Sequence, residues 1–337
     1  MTGALRRPVT ASLLGLAVLA ACAWLSLVVG SRGLATGEVL GAAAAVLTGT
    51  GTGSATEGIV QARLDRTFIG VVVGVAVALS GAAMQWLTRN PLADPGILGV
   101  NAGASLAVVL GLQFTALTSV GGYVWLALLG GIVAAVVVYA VASLGPSGPQ
   151  PLTLALAGAA LSAGVVSVIA GVLVSNRGAL DTFRFWQVGS IAGRPADLVA
   201  GVAPLLVVSL AVVLLSGPVL NATALGDDLE RALGQRVLLA RGAVALGAVG
   251  LAAAAVALAG PIGFVGLVVP HLVRLVTGPD HRRILLGSAL VGPVLILLTD
   301  TLGRVVTPPS EVQVGIMTAV LGAPALILLV RRSAVLR

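Results

Sequence analysis

The sequence predicts an all-α, polytopic membrane protein with about ten transmembrane helices, built as a single membrane domain over residues 1–337. Two observations carry this prediction. Hydrophobic residues make up 58% of the chain and charged residues 9%, too apolar a mixture for a water-facing surface. Apolar runs near the ~20 residues that a bilayer-crossing helix needs recur along the whole length. Short segments of alternating polarity, the signature of a transmembrane β-barrel, are not seen.

The runs fall at 11–31, 67–88, 96–112, 122–143, 152–174, 198–217, 237–259, 261–277, 284–303 and 313–330. The first follows a basic start and ends near Cys22 in a pattern like a lipoprotein leader. Because the apolar run continues as AWLSLVVG and further spans follow, it reads as the first span. Cys22 is the single cysteine, so the chain holds neither an internal disulfide nor a CxxC metal site. Between the second and third spans lies RNPLADPGILG, residues 89–99. There Asn90-Pro91 stops a helix, because proline lacks a donor and restricts its predecessor. Asp94-Pro95 reads as the N-cap and first position of the next helix. The 45 glycines and many alanines suit close helix contact in lipid, with RGAVALGAVG (241–250) and LLGGIVAA (128–135) as candidate contact faces. A GC-rich codon bias enriches the same residues.

All nineteen basic residues are arginine. Without lysine there is no phosphate-binding loop of the form GxxxxGK[ST] and no lysine Schiff base, so any ATP that drives this protein is hydrolysed by another chain. With both termini placed in the cytoplasm, most arginines face inward, as the positive-inside rule asks. Arg32, Arg63, Arg66, Arg177, Arg184, Arg194 and Arg304 then face outward, more than topology requires. Long side chains anchoring helix ends would account for some of them, with Asp300 and Arg304 as an i,i+4 pair.

The longest cytoplasmic loop, 218–241, contains a short amphipathic pattern. Asp227 and Glu230 form a capping box, Gly234 can close the helix, and Leu225, Leu229 and Leu233 recur every four residues beside Gly226. Such a stripe can lie on its own protein or seat in a groove on a partner. On the opposite side, residues 175–197 read as a periplasmic helix with its flanks, and Trp186 as an interface anchor or a partner contact. His271 and His281 read as packing or helix-end residues, since two histidines ten residues apart make no chelate.

Three stretches carry a resemblance: RLDRTFIGVVVGVAVALSGAAMQWLTRNPLADPGILGVNAGA (63–104), VALAGPIGFVGLVVPHLVRLVTGPDHRRILLGSAL (256–290) and TDTLGRVVTPPSEVQVGIMTAVLGAPALILLV (299–330). In order and over nearly the whole chain, they resemble the FecCD-type permeases of bacterial ABC importers, which carry iron–siderophore complexes, haem and cobalamin. The resemblance implies a multi-pass subunit of the bacterial inner membrane that is not itself an enzyme. It implies a second permease subunit, cytoplasmic ATPases that use ATP, and an extracytoplasmic substrate-binding protein. No cofactor, metal or nucleic acid is implied for this chain, and lipid surrounds it. Family members also have two halves of opposite orientation, and VALSG (77–81) and VALAG (256–260) are a short echo of that.

The resemblance also assigns roles. Leu225, Gly226, Asp227, Leu229, Glu230, Leu233 and Gly234 fall on the loop that couples to the ATPase. Arg63, Arg66 and Arg304 match arginines that receive acidic residues of the binding protein. Leu152 and Thr153 fall on the turn that narrows the cytoplasmic end of the pore. Two departures are present: Asp65 stands where the family has proline between the paired arginines, and Gln313 replaces the proline of an E-x-P before the last span. The other class to weigh is an ion-coupled secondary transporter, for which Asp300 is the best coupling candidate.

Overall fold

The computed structural model describes residues 2–30, 32–115, 120–145, 150–223 and 237–335. They form thirteen α-helices in this order: α1 (Thr2–Val28), α2 (Thr36–Thr48), α3 (Ala55–Leu87), α4 (Val100–Phe114), α5 (Val120–Ser143), α6 (Pro151–Val174), α7 (Arg177–Gln187), α8 (Leu198–Leu215), α9 (Gly217–Thr223), α10 (Val237–Ala259), α11 (Val265–Thr277), α12 (His281–Val306) and α13 (Val314–Val335). A 3₁₀ turn, Pro95–Leu98, precedes α4. Six of the helices, α3, α5, α6, α8, α10 and α12, are long and apolar enough to cross a membrane. Shorter apolar helices include α2, α4 and α11.

The centre of the bundle is α3. From Gly70 to Met84 its sequence is small and almost wholly apolar, which in lipid permits close backbone approach on several sides rather than a one-sided seam. Antiparallel α12 lies against it at Gly74 and Gly292, where either added Cβ would strike the facing backbone. α10 lies on another side, with Ser80 Oγ donating to Ala248 O at 2.6 Å. α11 lies on a third, where a Cβ on Gly81 would overlap the backbone of Gly266. The two glycine-rich stretches predicted as contact faces do meet neighbours: Gly130 packs on Gly103 of α4, and Gly247 and Gly250 pack on α8.

Three features depart from the predicted elements. α2 is an additional helix: its apolar stretch is only 13 residues, too short to register as a span. It is closed by Glu38, which accepts from Ala35 N at 2.9 Å, and by Gly49 in the left-handed region at φ 69°. Asp94-Pro95 starts a 3₁₀ turn rather than α4 itself, and Gly99 at φ 74° separates the two. The run 261–277 is also not one continuous helix. Residues 260–264 are non-helical, and α11 begins only at Val265. α3 and α10 run antiparallel, and each is followed by a break and a short helix.

Candidate functional site

Arg63, Arg66 and Arg304 converge at the N-terminal end of α3, where α12 and the end of α1 meet it. The sequence places Arg63 and Arg66 on one face of α3, and Asp300 and Arg304 one turn apart on α12. Arg66 grips Asp300 with two nitrogens, Nη2 to Oδ1 at 2.8 Å and Nε to Oδ2 at 2.9 Å. Its Nη1 donates to Glu311 at 2.6 Å. Arg304 also pairs with Asp300, so one carboxylate is shared by two guanidinium groups.

The remaining donors of Arg63 and Arg304 turn to the end of α1. Arg304 Nη1 donates to Ser26 O at 2.7 Å and Val29 O at 3.0 Å, and Nη2 to Ser26 Oγ at 3.0 Å. Arg63 Nη1 donates to Leu27 O at 2.8 Å and Val28 O at 3.0 Å, and its Nη2 reaches Arg32 O. The last carbonyls of a helix have no intrahelical donor and carry its negative dipole end, so two cations there satisfy both needs. Arg63 is 6% exposed and Arg304 2%. Arg66, with its side chain 12% exposed, and Glu311 form the part of the cluster that reaches the surface. Asp65 accepts from Gln61 Nε2 at 2.8 Å.

The opposite end of α3 is tied to the start of the predicted coupling loop. Trp86 Nε1 donates to Leu220 O at 3.1 Å. Asn221 exchanges two bonds with the beginning of α12, donating to Asp280 Oδ1 at 2.9 Å and accepting from His281 N at 2.8 Å. The Asn221 contact is the main cause that holds the Asp280 carboxyl below its usual value. Leu225, Gly226, Asp227, Leu229, Glu230, Leu233 and Gly234 lie outside the described residues. Leu152 and Thr153 stand in the first turn of α6: Leu152 is 69% exposed, while Thr153 Oγ1 accepts from Gln150 N at 2.9 Å and so closes the helix start. Nearby, Gly158 sits against Ile97 O, bringing α6 onto the 3₁₀ turn.

The segment 175–197 contains α7, capped by Asn176, whose Oδ1 accepts from Ala179 N at 3.0 Å. Trp186 faces inward, stacked on Phe183 with ring centroids 6.2 Å apart, so it is neither an exposed anchor nor an exposed contact.

Sequence reasoning missed Glu311 as a partner of Arg66, although the residue stands in the departed E-x-P motif. It also placed a turn only at Gly260, between the runs 237–259 and 261–277, and missed that residues 261–264 are not helical. Gly260-Pro261 and Gly263, helix breakers inside an apolar run, were the available signal.

A profile of the FecCD transport family matches residues 18–332. This chain belongs to that family. Over 308 residues it is 40% identical to the ferric enterobactin transport system permease protein FepD of Escherichia coli, covering 91% of each chain. It is 39% identical over 276 residues to the probable siderophore transport system permease protein YfiZ of Bacillus subtilis, covering 82% of this chain and 83% of that one. A solved structure described as a metal-chelate type ABC transporter in an inward-facing conformation shares the fold. Its TM-score is 0.83 at 27% identity, covering 96% of this chain and 99% of that one.

Proposed function

We propose that this FecCD-family chain is the permease subunit of a binding-protein-dependent ABC importer in the bacterial inner membrane, and that its cargo is a ferric siderophore. The observation that carries the reading is the family match over residues 18–332 on a bundle of the same fold as a metal-chelate transporter. In this reading α1, α3, α4, α5, α6, α8, α10, α11, α12 and α13 make ten crossings, with both termini cytoplasmic. The arginine cluster is then extracytoplasmic, and α9 with loop 218–241 is cytoplasmic.

The partners follow from that placement. A second permease copy or homologue completes the pore, and cytoplasmic ATPases that use ATP seat on the loop through Leu225, Leu229 and Leu233. The binding protein docks over Arg63, Arg66 and Arg304. Arg66 presents the reachable charge, and the two buried arginines fix the end of α1 beside it. Leu152 and Thr153 border the cytoplasmic mouth. An ion-coupled mechanism finds less support, because Asp300, its best acid, is already held between two guanidinium groups.

The test is uptake of radio-iron chelates into proteoliposomes holding the permease with ATPase and binding-protein subunits of the same organism. ATP-dependent uptake is expected, lost in Leu229→Asp while membrane insertion persists. Uptake driven by a proton gradient without ATP would overturn the importer reading, and ATP-driven uptake of cobalamin or haem alone would overturn the cargo. In the same vesicles Arg66→Glu is expected to weaken binding-protein docking by several-fold, since rim ion pairs are worth ~0–1 kcal/mol and reversal adds repulsion. High salt should shrink the difference as the Debye length falls toward ~3 Å at 1 M. Unchanged docking in Arg66→Glu at low salt would place the docking face elsewhere.

A further inference from the structure

We propose that the non-helical segment Gly260–Phe264 lines a water-filled path at mid-membrane depth and offers its backbone N–H groups to the oxygen-rich surface of a metal chelate passing through. The depth follows from the register of neighbouring helices. Ser80 of α3 bonds Ala248 of α10. Ala259 lies eleven residues further along antiparallel α10, about 16 Å at 1.5 Å per residue, and so falls near the level of Gly70. The contacts agree: Ser190 N donates to Ala259 O at 2.7 Å, and the neighbouring Ile191 side chain packs at Gly70. Six residues beyond Gly260, Gly266 packs on Gly81. The segment therefore descends from the level of Gly70 to that of Gly81, inside the stretch of α3 that is long and apolar enough to cross a membrane.

Backbone at that depth must be satisfied. In hydrocarbon an unpaired N–H or C=O costs several kcal/mol, so irregular chain occurs there only where it is buried in protein or faces water. Gly260 N still bonds Val256 O at 2.7 Å, and Val265 N bonds Gly263 O at 2.9 Å. Among the described residues, the N–H groups of Ile262, Gly263 and Phe264 have no hydrogen-bond partner. Gly263 is also exposed, and a Cβ built on it meets nothing within 4 Å. Ile262 is buried and Phe264 half-buried, so the exposed part of the stretch is Gly263, and an unpaired N–H exposed there inside the bilayer faces water or a polar cargo rather than lipid. Phe264 adds a second sign that the local geometry is held in place: it sits at φ 68°, ψ −28°, rare for a bulky residue, with its side chain packed on Gly322 of α13.

The cargo half of this inference rests on the reading of the chain as a chelate importer; the water half does not. Gly263→Cys tests both. Gly263 has open space and a negative-φ backbone, and the native Cys22, buried at 4% exposure, serves as an internal control. In the assembled transporter in nanodiscs, a charged, membrane-impermeant thiosulfonate is expected to modify the introduced thiol on the order of tenfold or more faster than Cys22, because only a wetted thiol ionises and reacts. The cognate ferric chelate with its binding protein should slow that modification, and the modified transporter should lose uptake. An introduced thiol that reacts no faster than Cys22, in a variant that still transports, would overturn the water path. Rapid labelling that the chelate never slows, in vesicles that take it up, would overturn the cargo contact alone. Rapid labelling in vesicles that take up no chelate would count against the importer reading and leave the water path standing.

Discussion

The chain leaves its helix after α3 and again after α10, and the two departures differ in how the freed backbone is used. After α3, most backbone N–H groups of 88–99 are bonded locally. Arg89 N donates to Trp86 O and Asn90 N to Gln85 O at 3.0 and 3.1 Å. Asn90 Oδ1 accepts from Leu92 N at 2.9 Å, and Asp94 Oδ1 from Gly96 N at 2.8 Å. After α10, residues 260–264 contain no Asn, Asp, Ser or Thr, so no side chain is available to close the break. The first break is built as a turn. The second is left open, with its shape imposed by Gly189 against Pro261 and Gly322 against Phe264, and by Gly81 against Gly266 just beyond it. A break closed by its own side chains can be rigid anywhere, whereas one that depends on its neighbours will respond when they move, which suits a transporter that must change state.

If neighbours impose the second break, the largest effect should come from the seam where it rejoins α3. An added methyl on Gly81 overlaps the backbone of Gly266, whereas one on Gly266 is merely tight, about 3.3 Å from Gly81 Cα and Val77 O. Gly81→Ala should lower stability by about 3 kcal/mol, the upper end of the range for overpacking, and Gly266→Ala by clearly less. Thermal unfolding in nanodiscs checks the order, and equal losses would remove the seam from the account.

Phe264 gives a finer test. Phe264→Ala and Phe264→Gly both delete the ring, but only glycine relieves the left-handed backbone, so Gly should be more stable than Ala by about 1 kcal/mol. The reverse order would mean that φ 68° is not strained.

At the first break the expected effect is smaller and depends on pH. Burial raises the Asp94 carboxyl above its usual value, against a smaller opposing effect of the Gly96 N–H. A raised acid favours the fold below its unfolded pKa of ~3.9, and that contribution is lost as pH rises through the folded value. Asp94→Asn keeps an oxygen for Gly96 N and should flatten the pH dependence of melting over that window. Asp94→Ala should flatten it too but lose about 1 kcal/mol at every pH, as other removed caps do. An unchanged pH profile in Asp94→Asn would show that another group sets it.

Apolar runs located the long helices because a 20-residue hydrophobic stretch has few alternatives to a helix, and six of them are long and apolar enough to cross a membrane. The helix α2 escaped that reading because 13 residues are too few. Arg63, Arg66 and Arg304 were visible as excess charge, but the direction of their side chains was not. Arg63 turns to the carbonyls of Leu27 and Val28, and backbone carbonyls leave no trace in a sequence. Likewise Arg66 meets Asp300 across 234 residues, a pairing no local pattern encodes. The first break was legible in place through Asn90, Pro91, Asp94 and Pro95, but not to the residue: α3 already ends at Leu87, and Asp94-Pro95 opens a 3₁₀ turn before α4. The second carried only Gly-Pro and an isolated Gly, which mark a break without saying that its amides stay unpaired.

The contrast between the breaks is tested most directly by residue-resolved amide hydrogen exchange on the transporter in nanodiscs. Protection reports whether each N–H is bonded and shielded. Strong protection is expected at Gly96, Ile97 and Gly99, whose amides are bonded, and rapid exchange at Ile262, Gly263 and Phe264, despite the greater membrane depth proposed for them. Protection of Ile262–Phe264 equal to that of Gly96–Gly99 would contradict the contrast, because the second break would then be a sealed turn like the first.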